Sequence, residues 1–501
     1  MQSLFTDTRI LDKAAREAYG LSEEVMMENA AAALESSVLQ AEAKKIVILC
    51  GSGNNGADGY ALARRLASRR AADGEVMRPL VIALVPPKSD LCKLQAERAK
   101  KCGVECLSTD DMTADAEKNL FSKADLIADC IFGSGFHGNL DEKSARLCRL
   151  ANESKAVRIA CDLPTGLRED GTVAEHAFSA TKTVTMGALK CSLYSDEAKD
   201  IAGQVVCENL GISRALFEAA APESDGKVSA FLLEAGDLHL PHRRQQKVNK
   251  GSFGHVAVAS GEKIGASCLA GQAALHFGAG LVTLVRLGSS FDKTELPQVT
   301  PELMTSGDFP ANTSALALGM GLGRSDEKIQ PYLDWLSEHK EIPCLLDADA
   351  LYASDLQAFL KARTEKSVLT PHPKEFQALL HNLGLGDYSI ADCLNRRPQL
   401  IEYFCRTFPQ CVLLVKGANP MIGHFDGSEF RLYVNPLGSN ALAKAGSGDV
   451  LAGLITALLA QGCKSLDAAI NGSLAHALAS QAFKNDYSLT PLSLIEAVAR
   501  L

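Results

Sequence analysis

Short apolar runs alternate with amphipathic stretches along most of the chain. Between residues 44 and 210, KIVILC, PLVIALV, VECL, ADLIADCIFG, AVRIACDLP and KTVTMGAL read as strands. Between them, LCKLQAERAKKCG and EKSARLCRLANESK place apolar residues three and four apart, the spacing of one helix face. Such alternation predicts a parallel sheet covered on both faces. Residues 1–43 read as a helical preface. The pattern lapses over FEAAAPESDGKVSA, residues 217–230, a stretch suited to a linker. A second alternation runs through GHVAVAS, AGLVTLVRL, SALALGMG, IPCLLDADAL, KSVLTPHP and CVLLVKGANP, and ends in a helix from residue 448. Two α/β units are therefore expected, divided near residue 220.

Composition narrows the function. A chain of 501 residues exceeds one ordinary core, which supports two domains. Its net charge of −9 argues against a nucleic-acid surface, which needs clustered positive charge. Anionic small ligands stay open, because backbone N–H groups bind phosphate without net positive charge. The apolar run VLAGLITALLAQG falls short of the ~20 residues that span a bilayer, so it predicts a buried helix, and no membrane partner is expected. The N-terminus lacks the apolar core of a signal peptide. Fifteen cysteines without a C-x-x-C pair predict buried thiols in a reducing compartment, hence a cytoplasmic protein.

The stretch GSGNNGADG, residues 51–59, satisfies G-x-G-x-x-G between an apolar run and a helical pattern. A dinucleotide redox fold also expects an acid at the end of the second strand, to hold the ribose. Here that strand runs into VPPKS, and the absence of G-K-[ST] excludes a P-loop. DCIFGSGFHGN (129–139) repeats the glycine pattern, and CDLPTGL (161–167) follows the next strand. Ligands of parallel sheets meet the carboxyl ends of strands. That rule would gather Asn55, Asp129, Asp162 and Thr165, all hard oxygen donors, beside turns suited to phosphate. The plainer alternative is that each turn caps a strand–helix junction, with its Asx residues as N-caps.

Together these stretches resemble the NAD(P)H-hydrate epimerase domain over roughly residues 1–215. The resemblance implies a Rossmann-like domain, drawn at 1–216, that binds a damaged nicotinamide dinucleotide as its substrate. It implies that Asn54, Asn55, Gly56, Ala57 and Asp58 line the dinucleotide with Gly133, Ser134, Gly135, Phe136, His137, Gly138 and Asn139. Asp162 would stand at the reacting end, and Asn55, Asp129 and Thr165 would hold a potassium ion. Ala57 replaces the family's usual glycine, placing a methyl where the ligand is expected to pass the backbone.

The second half offers the glycine turns NKGSFG and LGMGLGR, the small-residue helix GASCLAGQAALHFGAG, and TPHPKEF, which sets His372 between prolines. AKAGSGDVLAGLI places a G-x-G-D turn at the start of a long apolar helix. Helix N-termini bind anions, so Asp449 on that turn reads as an acid or base, or else as a first-turn acid helped by the dipole. VKGANP, at a strand end, suits a nucleotide loop with Lys416 near phosphate. His372 reads as a ligand contact or as a structural histidine.

In this order the motifs resemble the ADP-dependent NAD(P)H-hydrate dehydratases, relatives of the ribokinase superfamily, over about residues 228–501. The domain order resembles the bacterial bifunctional NAD(P)H-hydrate repair enzymes. The resemblance implies two three-layer α/β domains, the second ribokinase-like. Ala266, Gly321 and His372 would contact the hydrate, Lys416, Gly417, Ala418, Asn419 and Pro420 would contact ADP, Gly448 would lie by the AMP portion, and Asp449 would do chemistry. Departures are Asn419–Pro420, where Thr or Ser commonly closes the loop, Lys444–Ala445 in place of Thr-Gly, and Tyr352 in place of Asn. The function implied is epimerisation of R- and S-NADHX and NADPHX, and dehydration of the S form at the expense of ADP or ATP with Mg2+. A homo-oligomer with only small-molecule partners is expected. The rivals are a ribokinase-like vitamin-precursor kinase fused to a non-catalytic Rossmann-like module, and a binding scaffold.

Overall fold

A computed structural model describes residues 1–67, 69, 70, 74, 76–220, 227–289, 299–363, 367–483 and 487–501. The chain divides into two compact units, Ser3–Ser229 and Met1–Gln2 with Ala230–Leu501. Of the expected linker, 221–226 lies outside the described residues, and its first residues belong to the helix Arg214–Glu218. No helix among the described residues is long and apolar enough to cross a membrane. None of the fifteen cysteines forms a disulfide.

In the N-terminal unit seven strands run parallel in the order Glu105–Ser108, Leu80–Ala83, Ile46–Cys50, Leu126–Cys130, Val157–Cys161, Lys182–Met186, Gln204–Glu208. Side chains alternate across a strand. Ile46, Ile48 and Cys50 therefore join the core under the helices Glu23–Gln40 and Asn54–Leu66. Val47 and Leu49 join the opposite core with Leu147 and Cys148 of the helix Glu142–Glu153. The helices start at side-chain caps: Ser22, Ser89 and Asp141 accept from the N–H groups of Val25, Cys92 and Ser144. The result is a three-layer, Rossmann-like unit. Chain order reverses between Ile46–Cys50 and Leu126–Cys130, which creates a switch point at their carboxyl ends.

One expectation needs correction here, and one strand was not foreseen. Residues 1–43 are not wholly helical, because they open with the strand Gln2–Phe5, whose Leu4 pairs with Leu189. The edge strand Gln204–Glu208, half-buried and short, carries too weak an apolar run to be read from sequence.

The C-terminal unit has seven parallel strands in the order Met304–Ser306, Leu281–Val285, His255–Ala259, Ala315–Leu318, Cys344–Leu346, Ser367–Leu369, Cys411–Val415. Its switch point lies between His255–Ala259 and Ala315–Leu318, and the unit is an α/β sandwich. The expected alternation did not include the antiparallel hairpin Met421–Phe425 and Phe430–Val434 that follows. Its signal is the Asp-Gly of FDGSEF, where Asp426 Oδ1 accepts from the amides of Ser428 at 2.8 Å and Glu429 at 2.9 Å. The helix Ser447–Ala460 is buried as its apolar sequence predicts, and two further helices follow, Ser465–Ser480 and Pro491–Val498. It packs closely on the helix Ile264–His276: a Cβ on Gly453 would stand 2.1 Å from the carbonyl oxygen of Ala270.

Candidate functional site

A cavity of about 620 Å3 opens at the switch point of the N-terminal unit, within the range of ordinary small-molecule sites. Ser52–Asn55 enter it after Ile46–Cys50, Ile131–Phe136 after Leu126–Cys130, and Asp162 after Val157–Cys161. Two glycines are demanded by backbone proximity. A Cβ on Gly51 would meet the Ile131 carbonyl at 2.1 Å, and one on Gly56 the Gly51 carbonyl at 2.0 Å.

Asp162 adopts a left-handed φ of +64°, uncommon for a residue with a side chain. Its Oδ1 accepts from Lys190 Nζ at 2.6 Å, Thr185 Oγ1 at 3.2 Å and Met186 N at 3.3 Å. Asp58, past the first turn of Asn54–Leu66, lines the same cavity, and Cys161 Sγ lies 3.8 Å from its Oδ2. Burial, then the charges of Asp162 and Asp12, push the Asp58 carboxyl well above its ordinary range. Asp12 reaches in from the helix Arg9–Tyr19, and burial raises it to about 6 against the pull of Lys190.

Asp129 is fully buried, and burial raises it to about 6 even though Thr165 N (2.7 Å), Thr165 Oγ1 (2.7 Å) and Ile131 N (3.1 Å) all donate to it. Among the described residues it forms no ion pair. Asn55 Nδ2 is buried without a partner, and Asn55 Oδ1 and Asp162 Oδ2 stand 3.3 and 3.4 Å from where a Gly133 Cβ would be.

The structure thus brings Asn54, Asn55, Asp58, Gly133, Ser134, Gly135, Phe136 and Asp162 to one cavity. It places other expected contacts elsewhere. Ala57 is wholly buried in the hydrophobic core on the far side of its helix, so its methyl does not stand in the ligand's way. Gly56 serves the turn. Gly138 and Asn139 hang from Arg168, whose guanidinium donates to the Gly138 carbonyl at 2.8 Å and to Asn139 Oδ1 at 3.1 Å, and with His137 they lie outside the cavity lining. Sequence reasoning missed Arg9, Asp12, Arg16 and Lys190. A lysine in the apolar run MGALK was the one available signal.

In the C-terminal unit the polar residues also stand at strand ends. Asp347 follows Cys344–Leu346, and Lys416 follows Cys411–Val415 and donates to Asp347 Oδ1 at 2.7 Å. A Cβ on Gly448 would lie 3.3 Å from Lys416 Nζ, so the G-x-G-D turn and the lysine converge. Burial, aided by the negative charges of Asp347 and Glu375 and opposed by Lys416, raises Asp449 to about 7. Ala266 and Gly321 meet across the switch point: a Cβ on Gly321 (φ +63°) would stand 3.1 Å from Ala266 Cβ.

His372 caps the helix Pro373–Asn382, accepting from Glu375 N at 3.3 Å, while its own N–H donates to Glu375 Oε2 at 2.9 Å. Gly417 and Ala418 are exposed, whereas Asn419 is buried with its carbonyl 3.4 Å from an Arg397 nitrogen, and the Pro420 carbonyl accepts from Asn435 N. The departures have local uses. Lys444 ties the carbonyls of Tyr487 and Leu489, and Tyr352 carries the Arg324 guanidinium 4.0 Å over its ring. His476, unremarked in the sequence, is buried against Ser447, with Nε2 3.0 Å from the Ser447 hydroxyl and carbonyl oxygens.

Comparison with known proteins places these sites in a lineage. Residues 256–500 match the family model described as NAD(P)H-hydrate dehydratase, and 23–192 that of the YjeF-related protein N-terminus. The chain is 42% identical to the bifunctional NAD(P)H-hydrate repair enzyme Nnr of Helicobacter pylori over 100% of both chains. It is 33% identical to that of Coxiella burnetii over 94% of this chain and 92% of the relative. A solved ADP/ATP-dependent NAD(P)H-hydrate dehydratase from Bacillus subtilis is 23% identical, covering 54% of this chain and 97% of that one with a TM-score of 0.45. With both family models matched in order and a full-length relative at this identity, the chain belongs to the bifunctional NAD(P)H-hydrate repair enzymes.

Proposed function

We propose that the chain repairs hydrated nicotinamide dinucleotides in two steps. A domain at residues 1–216 interconverts R- and S-NADHX and NADPHX, and a domain at residues 228–501 dehydrates the S form with ADP or ATP. The observation that carries this reading is the cavity at the N-terminal switch point, where carboxyl groups in different environments meet two glycine turns. The rival of a kinase fused to a binding module is disfavoured, since the likeness to the repair enzymes runs the length of the chain.

The hydrate carbon bears both a hydroxyl and the ring nitrogen. Its C–O bond breaks with the electron pair leaving on oxygen, which takes a proton and departs as water. Water then adds to the other face of the resulting iminium ion and returns a proton, so the centre inverts and nothing is consumed. The carboxyl of Asp58, which burial holds toward its protonated form, and Oδ2 of Asp162 are the acid and base at hand.

Asn55, Asp129 and Thr165 suit a potassium ion: they offer hard oxygens, and Asp129 is a buried carboxylate without an ion pair among the described residues. Potassium there would supply fixed positive charge beside the turns that receive phosphates.

In the second domain Lys416 and the helix N-terminus at Gly448 receive the nucleotide phosphates. Asp449 takes the hydrate hydroxyl proton as that oxygen attacks the terminal phosphoryl group. Phosphate then leaves with the C–O electron pair, and loss of a proton from the neighbouring carbon restores the ring double bond. Mg2+ would be held by the nucleotide phosphates and would supply positive charge to the transferred phosphoryl group. The protein acts in the cytoplasm as a homo-oligomer, with no nucleic-acid or membrane partner.

The test is incubation of the full chain with mixed R and S hydrates plus ADP or ATP, following dihydronicotinamide absorbance. Both epimers should return to NADH. A stable phosphorylated product without recovered NADH would favour the kinase.

A further inference from the structure

Lys190 is nearly buried, with a side chain 5% exposed. Burying an ammonium is costly unless every donor is matched. Here all three are: Nζ donates to Asp162 Oδ1 at 2.6 Å, Thr185 Oγ1 at 3.0 Å and the Met186 carbonyl at 3.4 Å. The Thr185 hydroxyl and the Met186 amide also approach Asp162 Oδ1. One carboxylate oxygen is therefore saturated. The other, Oδ2, accepts no hydrogen bond among the described residues and lies beside Gly133 on the cavity wall. Other cations line the cavity but are turned to other acids, Arg9 to Asp7 and Arg16 to Glu23.

We propose that Lys190 is the positioning residue of the epimerase: it locks Oδ1 of Asp162 and leaves Oδ2 as the oxygen that exchanges a proton with the hydrate. The inference rests on the reading of Asp162 as the group that moves that proton. Without the ammonium, the carboxylate can rotate about its χ2, and the left-handed backbone at Asp162 no longer delivers one defined oxygen to the ligand.

The experiment uses the full chain, whose action on pure S hydrate with ADP monitors the other unit. Lys190→Met should lower kcat for R-hydrate consumption by about 10²-fold, the low end for losing positioned proton transfer. KM should stay within threefold, because Lys190 acts through Asp162. Lys190→Ala should fall similarly and recover at least tenfold with propylammonium, which replaces the missing ammonium. Lys190→Met consuming R hydrate within threefold of wild type would overturn the proposal. So would a loss that appears mainly in KM, or one that propylammonium leaves untouched, since packing or ligand binding would then be its role. Asp162→Asn separates the two readings: if it consumes R hydrate normally, the assignment of Asp162 itself fails.

Discussion

Asp449 presents a conflict between stability and chemistry that can be measured. Its carboxyl is raised from an ordinary 3.8 to about 7 by burial and the charges of Asp347 and Glu375. A rise of about three pH units corresponds to roughly 4 kcal/mol at ~1.36 kcal/mol per unit. Solvent reaching this half-buried side chain screens part of it, leaving about 2 kcal/mol. The folded-state value lies above the unfolded one, so ionisation is penalised in the fold. The penalty is absent below about pH 4, grows as pH rises toward 7, and is complete above it. Asp449→Asn removes it.

The variant should therefore match wild type in Tm near pH 4 and exceed it at pH 8 by roughly 4–8 °C for ~2 kcal/mol. Trp335 is the chain's one tryptophan and belongs to the C-terminal unit, stacked 3.8 Å from Phe309 and 4.3 Å from His339, so its fluorescence follows that unit. The same variant should dehydrate S hydrate ~10²–10⁴-fold more slowly, while kcat/KM of the wild type rises with pH through about 7. A variant whose Tm advantage over wild type is no larger at pH 8 than at pH 4, or that turns over at near-normal rate, would refute the reasoning.

Replacing potassium with lithium should slow epimerisation while leaving dehydration of pure S hydrate unchanged; R-hydrate consumption indifferent to the cation would remove Asn55, Asp129 and Thr165 as its ligands. Gly453→Ala should destabilise the C-terminal unit by about 1–3 kcal/mol, the cost of overpacking, because its methyl would meet the Ala270 carbonyl at 2.1 Å; Trp335 fluorescence reads this, and an unchanged Tm would contradict the packing. Residues 228–501 alone should convert S hydrate with ADP and leave the R form to slow spontaneous epimerisation, and failure to fold would argue that the domain boundary is misdrawn.

The sequence by itself determined the architecture. Strand and helix periods are local properties of the backbone, so the runs KIVILC and CVLLV fell where strands form, and VLAGLITALL where a buried helix does. The loops at the carboxyl ends were legible for the same reason: Gly51 and Gly56 mark places where backbone meets backbone. Weakly patterned pieces were not legible, such as the edge strand Gln204–Glu208 and the strand Gln2–Phe5, whose stability comes from neighbours distant in sequence. Only the tertiary structure decided which way side chains face. Ala57 and Asp58 are consecutive, yet one turns into the core and the other into the cavity. Only the tertiary structure decided protonation, because the raised carboxyls of Asp58 and Asp449 arise from burial and from acids on other elements. Lys190 shows this most plainly. In sequence it is a lysine among apolar residues, and it acquires a role only because folding buries it against Asp162, whose charge helps repay its desolvation.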